Sequence, residues 1–142
     1  MHFEERVLIG RSPDQVWSFF EDISNLPKWD RGVARVELTS GNGGVGSTFD
    51  TVGHGERGRM SYRITEVDPR HHYCVVTHSG FFKEAQWCFR LELVGSGTRV
   101  ICTTDFSLRP RYLFLAPVLL LVTRRGAIRA DLEHLKRVLE ED

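Results

Sequence analysis

Near residues 109–110 the hydrophobic pattern changes from that of a series of strands to that of a long helix, and this change constrains the fold more than any other feature of the sequence. Before it, apolar residues alternate with polar ones over several short stretches, as they do in half-buried β-strands. After it, apolar residues recur at helical spacing, at Ile128, Leu132, Leu135 and Leu139. Charged residues occupy the positions between them, as on an amphipathic helix. The chain is therefore predicted to be a series of strands closed by one long helix.

Seven stretches have the alternation or the β-branched composition of strands, together with bounding turn residues. They are residues 3–9, 35–38, 48–52, 59–64, 73–77, 82–94 and 99–106. Glycine-rich or Asp-Pro turns separate several consecutive stretches, and strands joined by short turns pair antiparallel. The strands after the first are therefore predicted to form an antiparallel meander.

Two short helices are predicted between the first and second strands. Ser12 has the features of a helix N-cap, because Pro13 follows at the first helical position and Gln15 completes a capping box. Pro27 ends this helix or its brief continuation. Pro117 favours a first turn of the last helix, so residues 111–116 are predicted to be a lead-in loop. The predicted fold class is α+β, as one domain over residues 1–142.

Charge and cysteine content exclude some functions. The 19 basic residues balance the 19 acidic ones, so no overall field would attract nucleic acid. Cys74, Cys88 and Cys102 lie in apolar segments without zinc-finger spacing, and the histidines show no ligand spacing. The cysteines are predicted to be separate core residues in a reducing environment, with no metal and no cofactor. The polar first residues do not resemble a secretion signal, which favours a cytoplasmic location.

Residues 112–122 are almost entirely apolar, but these eleven residues are too few for a membrane span of about 20. A helix on a sheet needs only one apolar stripe, so the surplus is expected to face a ligand, a second copy of the chain or a membrane surface. Arginines flank the segment, at Arg109, Arg111, Arg124, Arg125 and Arg129. They would suit anionic lipid headgroups, although helix solubilisation accounts for them equally well.

Several motifs occur in an order that resembles a known superfamily. They are Ser12 to Trp17 followed by Asp22, Pro27 and Trp29, then residues 43–46, 63–69, 97–100 and 135–140. Together they resemble the polyketide cyclase/dehydrase and START-like (SRPBCC) superfamily, whose helix-grip fold is shared with the birch pollen allergens. The resemblance covers nearly the whole chain. It implies an approximately seven-stranded antiparallel sheet curled around the long C-terminal helix.

The resemblance implies a cavity between the sheet and the helix, since members bind lipids, sterols, polyketides or hormones and only some are enzymes. The expected function is therefore binding of a hydrophobic or amphipathic small molecule. A cyclase or dehydratase is the first alternative and requires an inward-facing proton carrier, with His78 and Glu84 as candidates. An interaction module with a vestigial pocket is the second. No catalytic motif can be transferred to named residues.

The candidate ligand contacts are aromatic residues, polar residues among apolar ones, and the apolar segment. They are Trp29, Met60, Tyr62, His78, Trp87, Phe89, Leu113, Phe114, Val118 and Leu121. Tyr62 is the strongest polar candidate because it shares one strand face with Met60 and Ile64. The competing interpretation places the polar residues on the solvated face of the sheet and the apolar ones in ordinary core packing. Which face of each strand lines the cavity is left open.

Overall fold

The computed structural model describes residues 1–56 and 58–141. Its strands and α-helices, in chain order, are β1 (His2–Ile9), α1 (Pro13–Glu21), α2 (Leu26–Trp29), β2 (Arg35–Ser40), β3 (Thr48–Val52), β4 (Met60–Asp68), β5 (His72–Thr77), β6 (Phe82–Val94), β7 (Gly97–Leu108), α3 (Ala116–Arg124) and α4 (Ala127–Glu140). Short 3₁₀ helices occupy Ile23–Asn25, His54–Glu56 and Pro110–Leu115. The last of these stands where a lead-in loop was predicted.

The strands form one antiparallel sheet in the order β1-β7-β6-β5-β4-β3-β2. Strands β2 to β7 are neighbours in chain order, which confirms the predicted meander. Strand β1 pairs with β7, with Val7 opposite Val100. The register of β4 against β5 shifts between Ile64 and Glu66, as at a β-bulge. The sheet therefore has β1 and β2 as its edges.

Helix α1 begins with the predicted capping box. The Gln15 backbone N–H donates to the Ser12 hydroxyl oxygen at 3.3 Å, and the Ser12 N–H donates to the Gln15 side-chain oxygen at 3.1 Å. Val16 and Phe20 on its inner face are buried. The capping box determines the first residue of the helix. The first residue in turn determines which side chains face the sheet.

The single long C-terminal helix that the sequence predicts is divided into α3 and α4. Gly126 separates them with φ +100°, in the left-handed region that glycine adopts without a Cβ clash. Helix α4 buries Leu132, Leu135 and Leu139. Its last turn is fixed to the start of the chain, because the Gly10 N–H donates to a Glu140 carboxylate oxygen at 2.9 Å. The α+β helix-grip class is confirmed, with the helix shorter than expected.

Strand β6 shows which face of the sheet is inside. Ala85, Phe89 and Leu91 are buried, whereas Glu84 and Arg90 are exposed on the outer face. Between Ala85 and Leu91, the odd-numbered residues of β6 therefore face the helices. No helix in the described part of the chain is long and apolar enough to cross a membrane.

The cysteine prediction is wrong for two of the three residues. Cys74 and Cys88 lie directly opposite each other on β5 and β6 and form a disulfide. Cys102 is buried and free, as expected of a small core residue. The pairing depends on the register of the two strands, which the sequence pattern does not specify.

Candidate ligand-binding cavity

A cavity of about 240 Å³ lies between the inner face of the sheet and the helices. Its wall includes Phe19, Phe20, Ile23, Leu26, Trp29, Val33, Phe49, Tyr62, Tyr73, Val75, Trp87, Phe89, Cys102, Ile128 and Leu132. Ligand pockets commonly measure roughly 300–1,000 Å³, so this one suits a compact molecule. The side chains that form it are predominantly apolar, as in most small-molecule sites.

Aromatic rings form one wall of the cavity. The Tyr62 ring stacks on Phe49 with 5.2 Å between ring centroids and lies 5.8 Å from Trp87. Trp29 meets Phe89 edge to face at 5.9 Å. Alternation along β3, β4 and β6 places the strand residues of this group on the same face of the sheet. The wall offers flat apolar surface to a ring or a short chain.

Three acidic residues interrupt the apolar lining, and two of them, Asp30 and Asp131, are partly buried, whereas Asp22 is exposed. Asp30 follows α2, and Asp131 lies on α4, which packs against α2. The Gly32 N–H donates to Asp30 Oδ1 at 3.0 Å, yet burial raises the pKa of Asp30 above its usual value. Burial and then the neighbouring charge of Asp30 raise the pKa of Asp131 to about 6, and the positive charge of Arg31 opposes this rise. The pair therefore holds a proton more readily than isolated carboxyl groups do.

Two tyrosines, Tyr62 and Tyr73, are also among the lining residues. Burial and the charge of Asp30 raise the pKa of Tyr62 to about 12, and burial raises that of Tyr73 to about 12. Both phenols are thus protonated at neutral pH and can donate hydrogen bonds. The Tyr62 hydroxyl is oriented toward the Met60 sulfur, 3.8 Å away. The cavity combines carboxylate acceptors, phenolic donors and an apolar wall.

The structure divides the ten candidate contacts into three groups. Four line the cavity, and these are Trp29, Tyr62, Trp87 and Phe89. Met60 lies behind Tyr62, outside the lining, and His78 is exposed after β5, with Nδ1 3.0 Å from the Lys83 carbonyl oxygen. Four are exposed on α3 and the segment before it, and these are Leu113, Phe114, Val118 and Leu121. His78 and Glu84 were the predicted candidates for an inward-facing proton carrier. This prediction is wrong, because both side chains are exposed.

The sequence analysis missed the two acidic residues. Asp131 carried a usable signal, since it is three residues after Ile128 and four before Leu135 and thus shares their side of the helix. For Asp30, the only signal in the sequence was its position next to Trp29. Its contact with the cavity depends on how α2 packs against α4, which no local pattern specifies.

The family model described as polyketide cyclase/dehydrase and lipid transport matches residues 1–140. The chain belongs to this family. The resemblance found in its motifs is thereby confirmed over nearly the whole length. A search of curated proteins by sequence gives no match.

Solved structures of this superfamily have the same fold. The Zhui aromatase/cyclase from Streptomyces sp. R1128 superposes with a TM-score of 0.83 at 18% identity, covering 99% of this chain and 93% of that one. Ara h 8.0201 superposes with a TM-score of 0.78 at 16% identity, covering 100% of this chain and 99% of that one. A third structure is norcoclaurine synthase from Thalictrum flavum in complex with dopamine and hydroxybenzaldehyde. It superposes with a TM-score of 0.74 at 18% identity, covering 99% of this chain and 87% of that one. At such identities the likeness establishes the fold and leaves the ligand to be argued from the cavity.

Proposed function

We propose that this family member binds a compact amphipathic molecule whose apolar body lies against the aromatic wall and whose cationic or hydrogen-bond-donating end meets Asp30 and Asp131. The observation that carries the proposal is the placement of two partly buried carboxyl groups, of Asp30 and Asp131, in a predominantly apolar cavity. Burial of apolar ligand surface, at about 25 cal/mol per Å², would supply most of the binding energy. The acidic pair would orient the ligand.

A free-energy argument supports a donor at the polar end. A carboxylate removed from water is unfavourable unless hydrogen bonds or an opposite charge compensate it. Asp30 accepts one backbone N–H, and Arg31 lowers the pKa of Asp131 only in part. An ammonium or hydroxyl group of a ligand would complete this compensation. A ligand acid would instead add a third negative group and is expected to bind poorly.

Native mass spectrometry of wild type and two matched variants tests the cavity. Val75 lines the cavity, and its neighbour Val76 lies on the opposite face of β5. Val75→Phe should fill part of the 240 Å³ and remove a co-purifying or added apolar ligand. Val76→Phe adds the same volume outside the cavity and should retain the ligand. Naphthylmethylamine serves as the added probe, and we expect at least about a tenfold weaker affinity for Val75→Phe only, which corresponds to roughly 1.4 kcal/mol.

Equal binding by both phenylalanine variants would place the ligand elsewhere. Circular dichroism of each variant identifies any loss of fold. If a co-purified molecule is returned chemically altered after incubation, the protein is a cyclase or dehydratase, and Asp131 becomes the candidate proton carrier because its pKa of about 6 is close to neutral.

A second proposal concerns a surface outside the cavity, here called the apolar helix surface. It consists of Leu113, Phe114, Val118, Leu121 and Val122. Phe114 is 72% exposed, and the other four are each about half exposed. On α3, Val118, Leu121 and Val122 follow the spacing of one helix stripe. Such an unpartnered apolar stripe is expected to be covered in use.

We propose that an anionic lipid bilayer covers this surface. Residues 106–130 contain five arginines and no acidic residue, whereas the whole chain has zero formal net charge. Arg124 and Arg125 are exposed at the end of α3. Arg129 lies 3.2 Å from Glu5, so it is partly neutralised. An apolar stripe beside Arg124 and Arg125, which form no ion pair with the residues that the structure describes, fits the boundary between acyl chains and anionic headgroups.

Vesicle flotation tests this membrane contact. Wild type should float with phosphatidylcholine vesicles that contain phosphatidylserine. The fraction that floats should be smaller at high salt. The double variant Phe114→Ser/Leu121→Ser should bind roughly 30-fold more weakly, because two large apolar side chains no longer enter the bilayer. Leu93→Ser, at a site 68% exposed near the β6–β7 turn, is the matched control and should float like wild type. Size-exclusion chromatography showing a stable dimer that this double variant abolishes, without flotation, would instead assign the surface to a second copy.

A further inference from the structure

Three side chains with metal-binding atoms meet on the outer face of the sheet. His72 and Cys74 alternate on β5, and Cys88 lies opposite Cys74 on β6. One ligand atom from each lies within 4.8 Å of the others. Glu66 on β4 is also opposite Cys74. Neighbouring strands thus bring two sulfurs, one imidazole and one carboxylate together.

One distance in this cluster matches a tetrahedral metal site. Zinc ligands at about 2.3 Å for sulfur and about 2.0–2.1 Å for nitrogen lie about 3.5 Å apart when they occupy tetrahedral positions. In the structure His72 Nε2 is 3.5 Å from Cys74 Sγ. The two sulfurs are joined in the disulfide and separate on reduction, so the second sulfur and the imidazole ring adjust when a metal binds.

Glu66 lies beside both His72 and Cys74. Its Oε2 is 3.0 Å from His72 Nδ1 and 3.6 Å from Cys74 Sγ. A metal-binding histidine commonly donates its other N–H to a carboxylate, which fixes the tautomer and the ring orientation. Glu66 is a carboxylate within reach of His72 for this role once the ring turns Nε2 toward a metal.

We propose that reduction of the Cys74–Cys88 disulfide creates a site for a thiophilic divalent cation, best suited to zinc, with His72, Cys74 and Cys88 as ligands. A water molecule takes the fourth position. Cys88 and His72 are half-buried, so a reductant and a metal ion can approach from the solvent side. The site is distinct from the ligand cavity, because alternation turns Tyr73, Val75 and Trp87 to the opposite face.

The conversion balances with an external thiol as reductant. Two thiol molecules give two electrons and two protons to the disulfide, which becomes two cysteine thiols, and the reductant leaves as its own disulfide. Zinc then binds the two thiolates and releases their two protons to solvent. The oxidised protein joins β5 to β6 through sulfur, and the reduced protein joins them through the metal.

Cobalt titration of the full chain tests the proposal. The protein is reduced with a phosphine and desalted without oxygen. Cobalt(II) is then added, since its visible and near-ultraviolet absorption reports tetrahedral thiolate coordination. We expect one cobalt per reduced chain with this absorption, displacement by zinc, and no such absorption in the oxidised protein. His72→Ala and Cys88→Ser should each lose it. Glu66→Gln should weaken zinc binding by about 10–100-fold, as loss of an outer hydrogen-bond partner does.

His71→Ala is the matched control, because His71 is the exposed neighbour of His72 and lies outside the cluster. It should bind like wild type. Circular dichroism of the reduced variants identifies any that fail to fold, and His72, which is partly exposed, is the substitution expected to perturb folding least. Absence of the thiolate absorption in reduced wild type, or its persistence in His72→Ala and Cys88→Ser, would overturn the proposal.

Discussion

The double variant Asp30→Asn/Asp131→Asn should bind naphthylmethylamine at least about 30-fold more weakly than wild type at pH 7.5. Removing one side of a buried charge pair commonly costs roughly 2–5 kcal/mol, and the lower limit corresponds to this factor. Naphthylmethanol has the same apolar body without a charge, so its affinity should change about threefold or less. Isothermal titration calorimetry with both probes provides the comparison.

The same experiment has a pH dependence with a defined sign. The pKa of Asp131 is raised to about 6, so its carboxyl group loses its negative charge as the pH falls through that value. Wild-type affinity for the amine should therefore decrease between pH 7.5 and pH 5, whereas the amine itself stays protonated. The double variant should be nearly independent of pH over this range. Amine and alcohol binding with equal affinity at both pH values would rule out the acidic pair as the polar end of the site.

Replacement of Leu135 by alanine should lower the free energy of unfolding by about 3 kcal/mol. Leu135 is 0% exposed and lies on the buried stripe of α4 between Leu132 and Leu139. Core leucine-to-alanine changes cost roughly 2–5 kcal/mol, because apolar contact is lost and a cavity remains. Urea denaturation followed by tryptophan fluorescence measures the change as a lower midpoint with an unchanged slope.

Glu133→Ala is the matched control for that measurement. Glu133 is exposed on the same helix, and alanine is an equally good helix former, so stability should change by less than about 0.5 kcal/mol. A loss smaller than about 1 kcal/mol for Leu135→Ala would mean that α4 does not close the core as the structure describes.

The fold could be predicted because its elements carry local patterns. Alternation, β-branched residues and bounding turns identified the seven strands, the residues Ser12 to Gln15 identified the first helix, and the leucine repeat identified α4. The break at Gly126 was missed because an isolated glycine within a helical pattern does not distinguish a weak helix position from a left-handed turn. Local periodicity specifies the type of an element better than its continuity.

The cavity was predicted less completely because it depends on relations between elements. Tyr62, Trp87 and Phe89 were found since strand alternation fixes a shared face once one residue is known to be buried. The acidic pair depends on how α2 meets α4, and the disulfide depends on the register of β5 against β6. Both are distances between residues remote in sequence, which one sequence does not contain.

The pairing of β1 with β7 has a consequence for how the chain folds during its synthesis. In this sheet β1 hydrogen-bonds to β7 alone, so the first strand synthesised has no sheet partner until residues 97–108 have left the ribosome. The anchor of Gly10 on Glu140 forms later still. Contacts between residues this far apart in sequence form slowly, since a long loop must close before they contribute. The meander from β2 to β7 can therefore form before β1 pairs with β7 and before Gly10 is joined to Glu140, because these two contacts link the most distant parts of the domain.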